Sequence, residues 1–179
     1  MPPVAERPSS MADYGVPTDE EQLLLWGWAD ERLARSRNYW LTTVDAHRRP
    51  HSMPVWGVWL SPQERWWFSC AATSAKARWL AGNPHVVVTA DDSVEVVSLE
   101  GVAIPDDGRF RDEVLDAYLG KYGSEIVDPD ETPAQARDAL AEFIDGGNAY
   151  LVTPRAAFGV IERPDDFGPR ATRWRWPTP

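Results

Sequence analysis

Six segments of the chain are rich in aromatic and β-branched residues and are separated by polar, turn-forming residues. They span residues 38–45, 51–60, 65–71, 85–90, 94–104 and 148–161. Such segments favour β-strands, because branched and aromatic side chains pack well on a pleated surface. The first three follow one another with only short turns between them, which predicts an antiparallel sheet.

Helical patterns lie before and between these strands. Thr18 and Glu21 have the spacing of a capping box, which predicts a helix that runs to about Arg35. Three further helices are expected, at residues 73–83, 110–122 and 133–144.

The two ends of the chain differ from the middle. Residues 1–17 contain four prolines and no regular period, so we expect a flexible arm followed by a single domain over residues 18–179. Basic and aromatic residues alternate at positions 171–176, Ala-Thr-Arg-Trp-Arg-Trp. This pattern is typical of an edge strand or of a tail that lies over a partner.

Length, charge and cysteine content limit the class of protein. A chain of 179 residues suits one domain. Its net charge of −10 would repel a nucleic-acid backbone, so nucleic acid is not an expected partner. Cys70 is the only cysteine, which excludes an intrachain disulfide and a cysteine-rich metal cage. The sequence shows no secretion signal and no apolar run of membrane-spanning length, so we expect a cytoplasmic protein with no membrane partner.

The segment from Phe68 to Arg78 is the strongest candidate for binding chemistry. In it a strand passes through a short polar turn into a helix start, where unpaired N–H groups attract anions. Ser74 would add a hydroxyl donor and Lys76 a positive charge, which makes a phosphate group the natural ligand. Arg78 could lend a second charge, although it need not share the face of Lys76. The alternative is that Ser74 only caps the helix while the two cations are solvated surface charges.

Several motifs follow one another in a characteristic order. They are Arg-Pro-His-Ser-Met-Pro-Val-Trp at 49–56, Trp-Phe-Ser at 67–69, Ser-x-Lys-x-Arg-x-Leu at 74–80, Asn-Pro-His-Val-Val-Val at 83–88 and Leu-Glu-Gly-Val-Ala at 99–103. Together they resemble the pyridoxamine 5′-phosphate oxidase-like family, the FMN-binding split barrels. The resemblance covers about residues 22–104, with a weaker similarity at 172–176. Cys70 and Trp79 depart from it, because the family often has Thr and Asn at these positions.

The resemblance implies a mainly β fold with flanking helices, a six-stranded antiparallel split β-barrel. It also implies a homodimer with the cofactor at the subunit interface. The most similar branch uses the deazaflavin F420, with FMN as the alternative cofactor, and transfers a hydride to a small unsaturated or conjugated substrate. The implied cofactor-binding residues are Met53, Pro54, Val55, Trp56, Phe68, Ser69, Ser74, Lys76 and Arg78, with Trp174 and Arg175 as contacts across the subunit interface. Neither a catalytic acid or base nor a metal site is expected, and vitamin B6 oxidation is not expected either.

Two other classes of function stay open. A non-catalytic cofactor- or haem-binding protein would keep the cleft and take an axial ligand from its three histidines, His47, His51 and His85. These histidines lack metal-ligand spacing and suit turns or sheet faces better, although His51 lies on the strand expected to approach the ring. An interaction module would explain the ten tryptophans but not the ordered motifs.

Individual aromatic and sulfur side chains have expected places. Trp56 and Trp59 are three residues apart, so in one strand they would lie on opposite faces, one towards the cofactor and one in the barrel. Trp79 is expected in the core, and Cys70 is expected to be a small packed thiol rather than a nucleophile.

Overall fold

The computed structural model describes residues 2–146 and 148–177, and within them an antiparallel sheet is flanked by helices. The first residue of the predicted arm and the last two of the predicted domain lie outside these ranges. The strands are β1 (Val4–Glu6), β2 (Tyr39–Val44), β3 (Pro50–Val55), β4 (Val58–Leu60), β5 (Arg65–Cys70), β6 (His85–Ala90), β7 (Glu95–Pro105), β8 (Asn148–Ile161) and β9 (Thr172–Arg175). The helices are α1 (Trp26–Arg35), α2 (Ala75–Gly82), α3 (Arg111–Ile126), α4 (Pro133–Asp145) and α5 (Pro164–Arg170).

The sheet divides around its longest strand. Its main path runs β1-β9-β8-β7-β6-β2-β3, and β5 joins β4 to the start of β8. Residues 148–152 of β8 pair with β5, residues 156–159 pair with β9, and β7 lies along the other edge of β8. The predicted split-barrel class, mainly antiparallel β with flanking helices, is confirmed. The predicted count of six strands is not: the described sheet has nine strands and is not closed.

The segment predicted as one strand at 51–60 is two strands, β3 and β4, separated at Gly57. A Cβ atom on Gly57 would lie 2.7 Å from the carbonyl oxygen of Trp67, so only glycine permits this close approach. The backbone N–H of Gly57 donates to the Tyr122 hydroxyl at 3.0 Å, and that hydroxyl lies 2.9 Å from the Gly57 carbonyl oxygen. Because Tyr122 satisfies both groups, the chain leaves β2 here and pairs with β5 instead.

The helix predicted from Thr18 begins eight residues later, at Trp26, and the predicted capping box is absent. Gln22 has a φ of 62°, which an α-helix does not allow. Arg7 donates to the carbonyl oxygens of Asp19 and Glu21, which holds this segment in an irregular path. The prediction of a helix start at Thr18 is wrong because hydrogen bonds from Arg7, far away in sequence, stabilise a non-helical backbone there.

The N-terminal segment, expected to be a flexible arm, contains strand β1, which pairs with β9. The Arg7 guanidinium also donates to the carbonyl oxygens of Pro169 at 2.7 Å and Ala171 at 3.0 Å. The C-terminal segment 172–175, expected at an edge, therefore lies between β1 and β8.

Two hydrophobic cores lie on the two parts of the sheet. The barrel core contains Trp59, Trp66 and Trp174, each at most 4% exposed. Trp59 donates its indole N–H to Asp30 at 2.7 Å, so it is the member of the Trp56 and Trp59 pair that fills the barrel. A second core lies between β4, β5 and helices α3 and α4. Much of the tryptophan excess is thus structural.

Strand β3 forms one edge of the main path, opposite the edge at β1. Pro50 and Pro54 lie in it, and its residues Ser52, Met53 and Pro54 are exposed. Proline is tolerated at this place because an edge strand does not need every N–H for pairing. The edge leaves one side of the predicted cofactor region open.

Candidate functional site

The start of α2 has the strand, turn and helix arrangement that the sequence predicts. Ser74 is the N-cap, with an extended backbone, and its Oγ accepts from the N–H of Ala77 at 3.2 Å. The turn from β5 closes through the Ser74 N–H, which donates to the carbonyl oxygen of Ala71 at 2.9 Å. Ser74 is half-buried and the three residues before it are exposed, so the helix start opens to solvent. Free N–H groups at such an end favour an anion.

Two cations lie at this helix start. Lys76 is half-buried, and among the described residues no hydrogen bond or ion pair engages its ammonium group. Arg78 is exposed and donates from Nη1 to the carbonyl oxygen of Thr73 at 2.7 Å. That contact folds the guanidinium back towards the turn, so Arg78 lies near the helix start despite its later position. The sequence left open whether Arg78 lies on the same side as Lys76. In the structure its guanidinium lies against the turn that precedes α2.

The edge strand β3 carries the next group of predicted residues. Met53 is 55% exposed and Trp56, just after the strand, is 38% exposed. Pro54 is exposed as well, and Val55 packs partly against the barrel core. These side chains therefore present apolar and aromatic surface at the open edge of the sheet.

A stacked pair of rings connects this strand to α2. His51 of β3 and Trp79 of α2 have ring centroids 4.1 Å apart and planes within 19°. His51 Nε2 lies 3.2 Å from the Asp45 carboxylate. Hydrogen bonds from the backbone N–H of Arg49 and from His51 lower the pKa of Asp45, so this carboxylate stays ionised beside the imidazole. Trp79 thus lies half-buried between α2 and β3 and belongs to neither core, so its prediction as a core residue is wrong.

Phe68 and Ser69 lie on opposite faces of β5. Phe68 is fully buried in the barrel core, where it stacks on Trp66 and Tyr150, so its ring offers no surface to a ligand in one chain. Ser69 is half-exposed and is paired with Ala149 of β8. A cofactor contact at Phe68 would have to use the backbone of the strand.

The two predicted C-terminal residues lie on β9, within the other part of the sheet. Trp174 is fully buried and packs against Gly159 and Trp28, so its ring is closed to a ligand in one chain. Arg175 is exposed and its Nε donates to Glu6 of β1. The structure does not bring these two residues to the α2 start within a single chain.

A polar and aromatic cluster next to Trp56 was missed by the sequence analysis. Trp56 stacks on Tyr122, with centroids 4.6 Å apart and planes within 5°, and the Arg37 guanidinium lies over both rings. Lys121 donates to the Tyr39 hydroxyl at 2.7 Å, and burial lowers the pKa of this lysine to about 8. The cluster fixes Trp56 at the end of β3.

A signal for this cluster is present in the sequence. On α3, Tyr118 lies three and four residues before Lys121 and Tyr122, which places its side chain on the same face as theirs. The partners Arg37 and Trp56 lie far away along the chain, so the pattern alone does not distinguish the cluster from an ordinary packed helix face.

Metal and membrane features are lacking in the described parts of the chain. Across residues 2–146 and 148–177, no three His, Cys, Asp or Glu side chains come together in a way that could hold a metal ion. Cys70 is half-buried and packs against the barrel core, in agreement with a packed thiol. Within the same ranges, none of the helices has the length and apolarity required to cross a bilayer.

Comparison with known proteins supports one family. The family model described as pyridoxamine 5′-phosphate oxidase matches residues 28–144, more than half of the chain. Among curated proteins no sequence matches.

Several solved structures are similar in fold. The conserved hypothetical protein Rv2991 of Mycobacterium tuberculosis has a TM-score of 0.59 at 18% identity, over 90% of this chain and 94% of that one. HutZ, the heme storage protein of Vibrio cholerae, has a TM-score of 0.52 at 19% identity, over 76% and 92%. General Stress Protein 26 of Bacillus anthracis has a TM-score of 0.50 at 16% identity, over 74% and 91%. At these identities the similarity shows the fold alone.

Proposed function

Because the chain belongs to the pyridoxamine 5′-phosphate oxidase family, we propose that it is an oxidoreductase that binds F420 and reduces a small unsaturated or conjugated substrate. The observation that carries the proposal is the open start of α2 with Ser74, Lys76 and Arg78. The same helix is joined to the exposed edge strand β3 through the stack of Trp79 on His51. A helix start with two cations suits a phosphate, and an apolar edge suits a flat ring. The helix start and the apolar edge together fit a cofactor that carries both a phosphate and a flat ring.

The helix start would hold the phosphate through three kinds of donor. Ser74 Oγ already accepts from the N–H of Ala77, so its own hydroxyl hydrogen is available for a phosphate oxygen. Lys76 supplies a full charge and Arg78 a forked donor. Since Arg78 is already bound to the carbonyl oxygen of Thr73, it would add less than Lys76.

The edge strand would hold the ring. The ring would lie along the edge formed by Met53, Pro54, Val55 and Trp56, whose side chains alternate between two faces of the chain, with Trp56 held in place by Tyr122. When bound, a reduced deazaflavin supplies a hydride. The protein then has to orient the substrate and exclude water, and we assign no side chain as a proton donor.

A second copy of the chain would complete the cleft. The edge at β3 is open in a single chain, and flat rings bind best when both faces are covered. We propose a homodimer, with Ser69 and the backbone at Phe68 on the cofactor side and Trp174 and Arg175 near the subunit interface. Because the ring of Trp174 is buried, its role would be to support the neighbouring Arg175 rather than to touch the cofactor.

Two alternatives share the same cleft. FMN carries the same kind of phosphate and a related ring, so it would use the same residues. Haem is the second, since the similar fold of HutZ belongs to a heme storage protein. A haem would need an axial ligand, and His51 is the histidine nearest to the proposed cleft.

The experiment is a pair of titrations of the purified chain with F420 and with FMN, followed by cofactor fluorescence. Lys76→Ala should weaken F420 binding about ten- to a hundredfold, because a hydrogen bond to a charged group contributes about 1.5–3 kcal/mol. The control is Arg170→Ala, which removes the same charge from α5, at the far end of β8 from the α2 start. It should leave the affinity unchanged.

Each outcome distinguishes among the proposals. Tight F420 binding that depends on Lys76 supports the reductase, and tight FMN binding with weak F420 binding replaces it with a flavoprotein. A haem spectrum that His51→Ala abolishes would favour the haem-binding alternative. Equal effects of Lys76→Ala and Arg170→Ala would refute the phosphate site.

A further inference from the structure

A cavity of about 330 Å³ lies between α3, α4 and the turn after β3. Trp56, Tyr118, Leu140 and Phe143 line it, and its wall is mostly apolar. Phe143 is 57% exposed, so the cavity opens to solvent on the side of α4. Its volume lies in the range of pockets that bind small molecules, which begins at about 300 Å³.

Tyr118 brings an unpaired donor to this cavity. The residue is 6% exposed, yet its hydroxyl has no hydrogen-bond partner among the residues described by the structure. By contrast, its neighbour Tyr122 is fully hydrogen-bonded to Gly57. The hydroxyl is not among the fully buried polar atoms that lack a partner, so it keeps contact with solvent and is free to donate to an acceptor that enters the cavity. Burial also raises the pKa of Tyr118 to about 12, which keeps this group a neutral donor at physiological pH.

The charges around the cavity disfavour an anionic occupant. No lysine or arginine is among its lining residues, and the acidic residue in the lining is Glu131, on the exposed rim. Arg37 lies near Trp56 but is engaged in an ion pair with Glu125. An anion would meet one carboxylate and no free cation. A neutral ligand with an acceptor atom fits both the apolar wall and the Tyr118 donor.

We propose that this cavity holds the flat apolar part of a neutral carbonyl compound, whose oxygen accepts a hydrogen bond from the Tyr118 hydroxyl. This inference rests on the proposed reductase function and specifies its substrate class. Trp56 connects the two sites, because it lines the cavity and is also one of the residues assigned to the cofactor ring. A compound in the cavity would thus lie next to the cofactor cleft rather than in a separate site.

The test uses two bicyclic probes that differ only in the carbonyl group, 1-tetralone and tetralin, in ligand-observed NMR titrations of the full chain. Tyr118→Phe removes the hydroxyl and keeps the ring. It should weaken 1-tetralone binding about two- to tenfold, the usual value of one neutral hydrogen bond, and leave tetralin binding unchanged. Tetralin reports the apolar wall alone.

A second pair of variants tests the cavity itself. Ala139 lines the cavity from α4, so Ala139→Trp should fill it and weaken both probes more than tenfold. Ala134 is exposed on the same helix and does not line the cavity, so Ala134→Trp is the matched control and should keep both affinities. Thermal unfolding checks that each variant is folded.

The outcomes separate this inference from the proposed function. If both probes bind equally well to Ala139→Trp, or if Tyr118→Phe does not change the preference for 1-tetralone, the cavity inference is overturned even when F420 binds. If the probes follow the expected pattern while F420 does not bind, the cavity stands as a site for neutral carbonyl compounds and the reductase proposal falls.

Discussion

His51 on β3 and Trp79 on α2 stack with their ring centroids 4.1 Å apart, and this contact joins the two elements that carry the proposed cofactor site. Ala77 and Leu80 occupy the buried face of α2, which leaves Trp79 on the side that meets β3. The distance between the helix start proposed for the phosphate and the edge proposed for the ring therefore depends on a contact outside the two cores.

Trp79→Ala should loosen α2 from β3. We expect a loss of about 1 kcal/mol in the free energy of unfolding, because a stacked aromatic pair contributes about 0.5–1.5 kcal/mol beyond its buried area. Urea unfolding measures it, and cofactor affinity should fall as well, since the two halves of the site lose their fixed spacing. Trp79→Phe keeps a stacked ring and should retain most of both properties. An unchanged affinity in Trp79→Ala would show that the stack does not position the site.

Substitutions at Ser74 can separate helix capping from anion binding. Ser74→Ala removes the hydrogen bond to the N–H of Ala77 and should lower stability by about 1 kcal/mol. Ser74→Asp keeps a cap, because a carboxylate also accepts from that N–H, but its negative charge should repel a phosphate. We therefore expect near-normal stability and strongly reduced cofactor affinity for Ser74→Asp. Unchanged affinity for this variant would place the phosphate elsewhere.

Arg7→Ala should destabilise the chain although Arg7 lies outside the predicted domain. Its side chain is 8% exposed and binds the carbonyl oxygens of Pro169 and Ala171. Loss of hydrogen bonds from a charged donor costs about 1.5–3 kcal/mol. Denaturant unfolding should show this loss, whereas Arg170→Ala, in an exposed ion pair, should change stability by less than about 0.5 kcal/mol. Equal effects would mean that the hydrogen bonds of Arg7 add nothing measurable to stability.

Stability should rise with pH between about 8 and 10 because of Lys121. Burial lowers the pKa of Lys121 to about 8 from its ordinary 10.5, so in this window the unfolded chain binds the proton that the folded chain has released. Above pH 10 the sign reverses, since burial raises the pKa of Tyr118 to about 12 and the folded chain then holds the extra proton. Urea unfolding at pH 8.0 and 9.5 measures the effect. Lys121→Met should remove the rise, and an equal rise in this variant would assign it to another group.

Local signals in the sequence were sufficient for the elements that form the helix start. The Ser74 cap predicts α2, and Thr132 with Gln135 forms a capping box at the start of α4, where a helix was expected. The strands of the main path carry enough aromatic and β-branched residues to be recognised without their neighbours.

The features that sequence could not predict depend on residues far apart in the chain. The break at Gly57 requires the close approach of Trp67 and the hydroxyl of Tyr122, 65 positions away. Strand β1 has three residues and forms only because β9, at the other end of the chain, lies beside it. The cavity beside Tyr118 likewise forms between residues far apart in the chain, because Trp56 lines it from the end of β3. The periodicity of a sequence indicates the type of a single element. It does not reveal contacts between residues that lie far apart in the chain.

The two prolines of β3 bear on what this protein can assemble into. An exposed strand edge is a template on which further copies can add by backbone hydrogen bonds, and repeated addition leads to fibrils. Pro50 and Pro54 deprive the edge of two N–H donors, which interrupts any such continuous ladder. Repeated addition of copies through backbone hydrogen bonds is therefore disfavoured at this edge.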